Sequence, residues 1–182
     1  IDAAVDKSQL KPFINDHPTT LLITHTHHDH IAYLEEYTSL CEKLYIYGHP
    51  DSKIKNQIKL IDHMEVFVIG ELKFKSIHTP GHYFDSICYQ LDSVLFTGDT
   101  LFVGRTGRTI SKKSDISDLY KSIYTKILKL PKNIIIYPGH NYGEKTTITL
   151  RENIKISPLL RATSENDFQK RMSDYEKNRI LN

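Results

Sequence analysis

Short apolar runs broken by polar turns alternate along the chain with stretches whose apolar residues recur at helical spacing. Thr20-Leu21-Leu22-Ile23-Thr24 is apolar and β-branched and predicts a buried strand. From Ile31 the positions Leu34, Tyr37, Leu40, Cys41 and Leu44 fall on one helical face. Leu44-Tyr45-Ile46-Tyr47 reads as the next strand, ended by Gly48-His49-Pro50, and the polar stretch that follows is expected to be helical. Glu65 to Ile69 and Leu72 to Ile77, separated by Gly70-Glu71, predict a hairpin; Ser86 to Leu91 and Ser93 to Thr97 predict another around Asp92. Between Asp115 and Leu130 the residues Ile116, Leu119, Tyr120, Ile123, Ile127 and Leu128 form a helical stripe that Pro131 closes. Asn133 to Tyr137 predicts a buried strand. The last forty residues are polar, with a helix expected over about 165–179 whose Phe168, Met172 and Tyr175 pack back on the domain.

No repeat, low-complexity tract or linker interrupts this pattern. The economical architecture for 182 residues is one layered α/β domain over 1–160 with a helical tail over 161–182. Hydrophobic residues at 39% and charged residues at 25% belong to a globular chain. The longest apolar stretches, Ile134 to Tyr137 and Val66 to Ile69, stop far short of the roughly 20 residues of a membrane-spanning helix, so no membrane partner is expected. A net charge of +2, with 24 basic against 22 acidic residues, supplies no general field for nucleic acid. Cys41 and Cys88 sit in apolar surroundings and read as buried free thiols; a disulfide scaffold is excluded and a cytoplasmic setting is the default. The start, Ile1-Asp2-Ala3-Ala4, has no initiator Met and no signal-like region, which points to a removed leader or a fragment.

The chemistry stands at the strand tips. His25-Thr26-His27-His28-Asp29-His30 places four potential ligands within six residues of the turn after the first strand. Residues two apart on an extended chain face the same way, so His25 and His27 can share one metal ion. Once the chain turns, Asp29 and His30 aim elsewhere, naturally toward a second ion beside the first. His82, Asp99 and His140 follow Pro80-Gly81, Thr97-Gly98 and Pro138-Gly139, each of which allows a sharp exit from a strand and leaves a ligand at its tip. Imidazole and carboxylate without thiolate favour zinc, iron or manganese.

With its His-x-His-x-Asp-His turn, later lone His82, Asp99 after Gly98 and final His140, the sequence resembles the metallo-β-lactamase superfamily. The resemblance implies a four-layer αββα sandwich. It places His25, His27 and His82 on a first metal, Asp29, His30 and His140 on a second, and Asp99 between them. Members of the family carry more chain before this turn than the 24 residues here, and Ile1-Asp2-Ala3 looks like a segment that follows their first strands, so those strands are expected to be absent. The implied reaction is hydrolysis by a metal-bridging hydroxide, oriented by Asp29, with two divalent ions, zinc first and iron or manganese as alternatives. An Asp at position 99 disfavours true β-lactamases, His27 disfavours the flavodiiron branch, and the 41 positions from Asp99 to His140 are too few for an inserted nuclease domain.

His78-Thr79-Pro80-Gly81-His82, Phe96 to Gly104 and Gly107-Arg108 are similar to glyoxalase II, the hydroxyacylglutathione thioesterase. By that resemblance Arg108 and Tyr142 contact a glutathione-type substrate. The chain departs from that branch in having Thr109-Ile110 after the basic residue and a shorter tail. The tail, from Tyr137-Pro138-Gly139-His140-Asn141-Tyr142-Gly143 to Phe168 and Met172, is more similar to persulfide dioxygenases, in which a single iron would rest on the counterparts of His25, His82 and Asp99. The other histidines fall outside this scheme. His28 and His49 are expected in exposed loops, and His17, His63 and His78 in structural or surface roles.

Overall fold

The computed structural model describes residues 1–14, 19–41, 43–52, 54 and 58–180. His17 lies outside the described residues. Two sheets form. In the first, β1 (Thr19–Leu22), β2 (Leu44–Gly48) and β3 (Ile58–Leu60) are parallel in that order. In the second, β4 (Val66–Ile69), β5 (Leu72–His78), β6 (Ile87–Leu91), β7 (Val94–Gly98), β8 (Ile135–Pro138) and β9 (Ile148–Thr149) lie in sequence order. All their pairings are antiparallel except β7 with β8. A parallel pair needs a long crossover, and here it contains the helical stripe, α3 (Ile116–Lys121), continued by one wide and one tight turn to Lys129. Among the described residues the other α-helices are α1 (Lys7–Leu10), α2 (Leu34–Leu40), α4 (Leu150–Ile156) and α5 (Glu165–Ile180).

Strand alternation sorts the apolar side chains into three cores and so sets the layering. On β1, Leu21 joins Ala3, Leu34, Tyr37 and Ile46 beneath α2, while Leu22 faces the other way. On β5 to β7, Phe74, Ile87 and Tyr89 meet Leu22, Ile61 and Phe67 between the sheets. Ile77, Cys88 and Leu95 point outward under α3 and α5 with Leu119, Ile123, Phe168 and Met172. The order helix, sheet, sheet, helix is the αββα sandwich that the family resemblance implied. Burying large apolar side chains at about 25 cal/mol per Å² is what holds these layers together.

Three local expectations change. The polar stretch after Pro50 is not a helix throughout: Ile58–Leu60 is β3, whose pairing with β2 and buried follower Ile61 override a weak local pattern. The helix expected from Ile31 starts at Leu34 as α2, because His28–His30 form a tight 3₁₀ turn that sets ligand directions before the helix begins. His49 is buried, not exposed, and its ring stacks on that of His78 with centroids 3.9 Å apart. Burial favours the neutral ring there and holds His49 below the usual histidine value. Both cysteines are free and buried as expected.

Candidate metal centre

Four strand exits deliver the seven residues to one edge. β1 runs into His25 to His30, the loop after β5 carries His82, β7 ends in Gly98-Asp99, and β8 ends before Gly139-His140. Gly98 has φ +47°, and a side chain there would press within 2.5 Å of the Thr24 hydroxyl, so only glycine lets β7 turn against the first loop. Gly139 is equally constrained by space: an added Cβ would lie 2.6 Å from Asp99 Oδ1 and 2.8 Å from His30 Cε1.

The side chains converge in groups of three. His25, His27 and His82 form one, with His27 Nδ1 3.0 Å from both His25 Nε2 and His82 Nε2. Asp29, His30 and His140 form another, with His140 Nε2 3.0 Å and His30 Nε2 3.8 Å from Asp29 Oδ2. Asp99 stands between them. Its Oδ1 lies 3.2 Å from His30 Nε2, and its Oδ2 lies 3.6 Å from both His82 Nε2 and His140 Nε2. His25, His30 and Asp99 also converge.

Three ring nitrogens pointing at one another cannot all be satisfied by protons, since each neutral imidazole has one donor and one acceptor. Among the described residues His30 Nε2 and Asp99 Oδ1 are buried without a well-formed hydrogen bond. Such orphaned polar atoms are costly unless something else satisfies them. The donor set and its orphaned atoms fit divalent metal, which imidazole nitrogen and carboxylate oxygen bind at about 2.0–2.2 Å in the case of zinc.

The far sides of the rings are held as metal ligands require. His30 Nδ1 is 2.8 Å from Asp2 Oδ2, and Asp2 accepts from the Thr24 amide at 2.7 Å and its hydroxyl at 2.8 Å. His82 Nδ1 faces the Arg108 carbonyl at 2.8 Å, and His25 Nδ1 faces the Thr24 hydroxyl at 3.2 Å. Burial first, then the neighbouring rings, holds His25 well below the usual histidine value, and burial likewise lowers His27 and His82. All three therefore favour the neutral form that a metal needs. Burial also disfavours a charged His30, but the Asp2 and Asp99 carboxylates outweigh it and raise this ring to about 10. For Asp99, burial pushes upward, yet contact with His30 and the charges around it keep the carboxyl below its ordinary range.

A cleft of about 300 Å³ opens over Asp29, Asp99 and His140. Arg108 and Tyr142, the two residues expected to touch substrate, both line it. So do Arg105 and Tyr175, which the sequence reading had not assigned to substrate. Arg105 lies 4.4 Å over the Tyr142 ring and donates to the Tyr175 hydroxyl at 2.6 Å and the Tyr142 carbonyl at 3.2 Å. Tyr175 thus joins the cleft wall as well as extending the face on which Phe168 and Met172 are buried. Asp2 is a further functional residue, and its one signal in the sequence is the Ile1-Asp2 pair that belongs to the family resemblance. His28 and His63 are exposed and outside the centre.

A description of the metallo-beta-lactamase superfamily matches residues 59–140. The chain carries a metallo-beta-lactamase superfamily domain. The superfamily match starts after the His25 to His30 turn, and wider similarity brings that turn in. A hydroxyacylglutathione hydrolase from Dictyostelium discoideum is 29% identical over 171 residues, covering 90% of this chain and 60% of that protein. A probable polyketide biosynthesis zinc-dependent hydrolase, BaeB, from Bacillus velezensis is 33% identical over 139 residues, covering 70% of this chain and 58% of that protein. The chain therefore spans about three fifths of the length of these curated relatives. The crystal structure of ETHE1 from Myxococcus xanthus is 28% identical with a TM-score of 0.82, over 93% of this chain and 74% of that one. Among the described residues no helix is long and apolar enough to cross a membrane.

Proposed function

We propose that the chain is a binuclear metal-dependent hydrolase of the glyoxalase II type that cleaves a thioester of the hydroxyacylglutathione class. Residues 1–160 would be the catalytic domain and 161–182 a tail packed on it. The observation that carries the reading is the pair of three-residue clusters meeting at Asp99, whose two carboxylate oxygens face different histidines. One ion would need one cluster; two clusters suit two. His25, His27 and His82 would hold the first ion, Asp29, His30 and His140 the second, and Asp99 both. Zinc suits this donor set, with iron or manganese as alternatives.

When bound, such ions supply a water acidified enough to act as nucleophile near neutral pH and a Lewis acid for the carbonyl oxygen. The chain's own residues do the rest. Asp29 is the most solvent-open of the acidic ligands, at 58% exposure, so its free carboxylate lone pairs face the cleft and can take a proton from the attacking water. Asp2, through His30 Nδ1, fixes which nitrogen of that ring faces the centre. Arg108 and Arg105 offer guanidinium groups to substrate carboxylates, and the Tyr142 and Tyr175 contacts hold Arg105 in place before substrate arrives. Phe102 and Tyr142 line the same cleft and provide apolar surface for the acyl chain.

The likeness to hydroxyacylglutathione hydrolase supports this reading; the likeness to ETHE1 favours a second, a mononuclear iron persulfide dioxygenase acting on glutathione persulfide. Parallel assays separate them. Zinc-loaded protein is expected to release thiol from a hydroxyacylglutathione, with Asp99→Ala removing both metal and activity and Arg108→Ala raising KM more for that thioester than for a small neutral ester. Oxygen uptake with glutathione persulfide by iron-loaded protein, with no thiol release from the thioester, overturns the hydrolase in favour of the dioxygenase.

A further inference from the structure

One buried carboxyl group lies outside the centre and bonds to Thr26, the residue between two of its histidines. Asp85 is 1% exposed, and the groups bonded to it are donors from elsewhere in the chain. Its Oδ2 accepts from the Thr26 hydroxyl at 2.5 Å and the Ser52 hydroxyl at 3.1 Å, and its Oδ1 accepts from the Thr26 amide at 3.3 Å. Among the described residues the groups bonded to Asp85 are hydroxyls and an amide rather than a cation, and burying a carboxyl group on such partners is costly and calls for a reason.

The reason lies in what each partner carries. Thr26 stands between His25 and His27. Asp85 stands three residues after His82, in the β5–β6 loop. That loop is itself rigid: Thr79 donates its amide to the Ser86 carbonyl at 2.7 Å, and the Ile87 amide donates to the Thr24 carbonyl at 2.7 Å. Ser52 belongs to the turn after β2. Asp85 therefore ties the loop of one sheet that supplies two nitrogens of the first cluster to the loop of the other sheet that supplies the third. Among the described residues no hydrogen bond links Asp85 to Asp29, His30 or His140.

We propose that Asp85 is a positioning residue for the first cluster, setting the approach of His82 to His25 and His27 through its bonds to Thr26. The inference rests on reading those three histidines as ligands, and it does not depend on which reaction follows. Groups bonded directly to metal ligands are worth about 10–100-fold in metal affinity, and Asp85 acts one residue further out through Thr26, which points to the lower end of that range.

The test is a zinc titration against a chromogenic competing chelator. Carried out in a His140→Ala background, it reads the first cluster; carried out in a His82→Ala background, it reads the second. Asp85→Ala and Thr26→Val are expected to weaken first-cluster binding about tenfold or more and to leave second-cluster binding unchanged. Asp85→Asn and Thr26→Ser should restore most of it. Asn can accept from the Thr26 amide while donating to the two hydroxyls, and Ser keeps the hydroxyl. Replacing zinc with cobalt adds a visible spectrum that reports first-cluster geometry directly. Wild-type affinity in both Asp85→Ala and Thr26→Val, or an equal loss at both clusters, overturns the proposal. If Asp85→Ala does not fold, Thr26→Val decides alone. Zinc binding by neither background nor the unsubstituted chain refutes the metal-centre reading itself, and the proposal with it.

Discussion

Asp2 governs how His30 behaves, and it does so before any metal binds. The carboxylates of Asp2 and Asp99 overcome burial and hold the His30 proton up to about 10, against about 6.5 for an unperturbed histidine. A folded-state value above the unfolded one contributes stability that is complete below about 6.5 and is lost as pH rises through about 10. His25, His27 and His82 are shifted the other way, so their contribution is present above about 6.5 and falls away in acid. Metal-free protein is therefore expected to lose resistance to urea between pH 7 and 10, and Asp2→Asn to flatten that loss. Parallel curves for the two proteins would remove Asp2 from this role. The same proton must leave Nε2 for His30 to ligate, so binding at the second cluster should tighten as pH rises.

At the scale of elements, the tail helix is held by a few large side chains. Phe168 is fully buried and packs on Tyr120 and Tyr124, and Met172 is buried on the same face of α5. Phe168→Ala should cost about 3–5 kcal/mol in chemical denaturation; a loss below about 1 kcal/mol would mean that α5 is not part of the cooperative core. The helix itself was legible because its apolar residues keep strict spacing. The hairpins at Gly70 and Asp92 were legible too, since each turn residue adopts a positive φ between alternating strands. β3 was not: Ile58–Leu60 is three residues long with a lysine in the middle, and its identity comes from pairing with β2, which no local window contains. α4 was readable and missed, for Thr149 and Glu152 form a capping box.

At the scale of the whole molecule, the sandwich brings four strand exits to one edge, and it is there that the proposed metal centre lies. Its seven converging side chains could be read from the sequence because metal chemistry tolerates few residue types, because four of them crowd one turn, and because glycine or proline marks the other three strand exits. What surrounds them could not. Asp2 meets His30 across 28 positions, Thr26 meets Asp85 across 59, and Arg105 meets Tyr175 across 70, and none of these pairs has a local pattern to betray it. The central claim is that this edge is built for two ions, and the most direct test is elemental analysis of protein purified without chelator. About two divalent ions per chain, falling to about one in His140→Ala, is the predicted result. A single iron per chain, unchanged in His140→Ala, would contradict it.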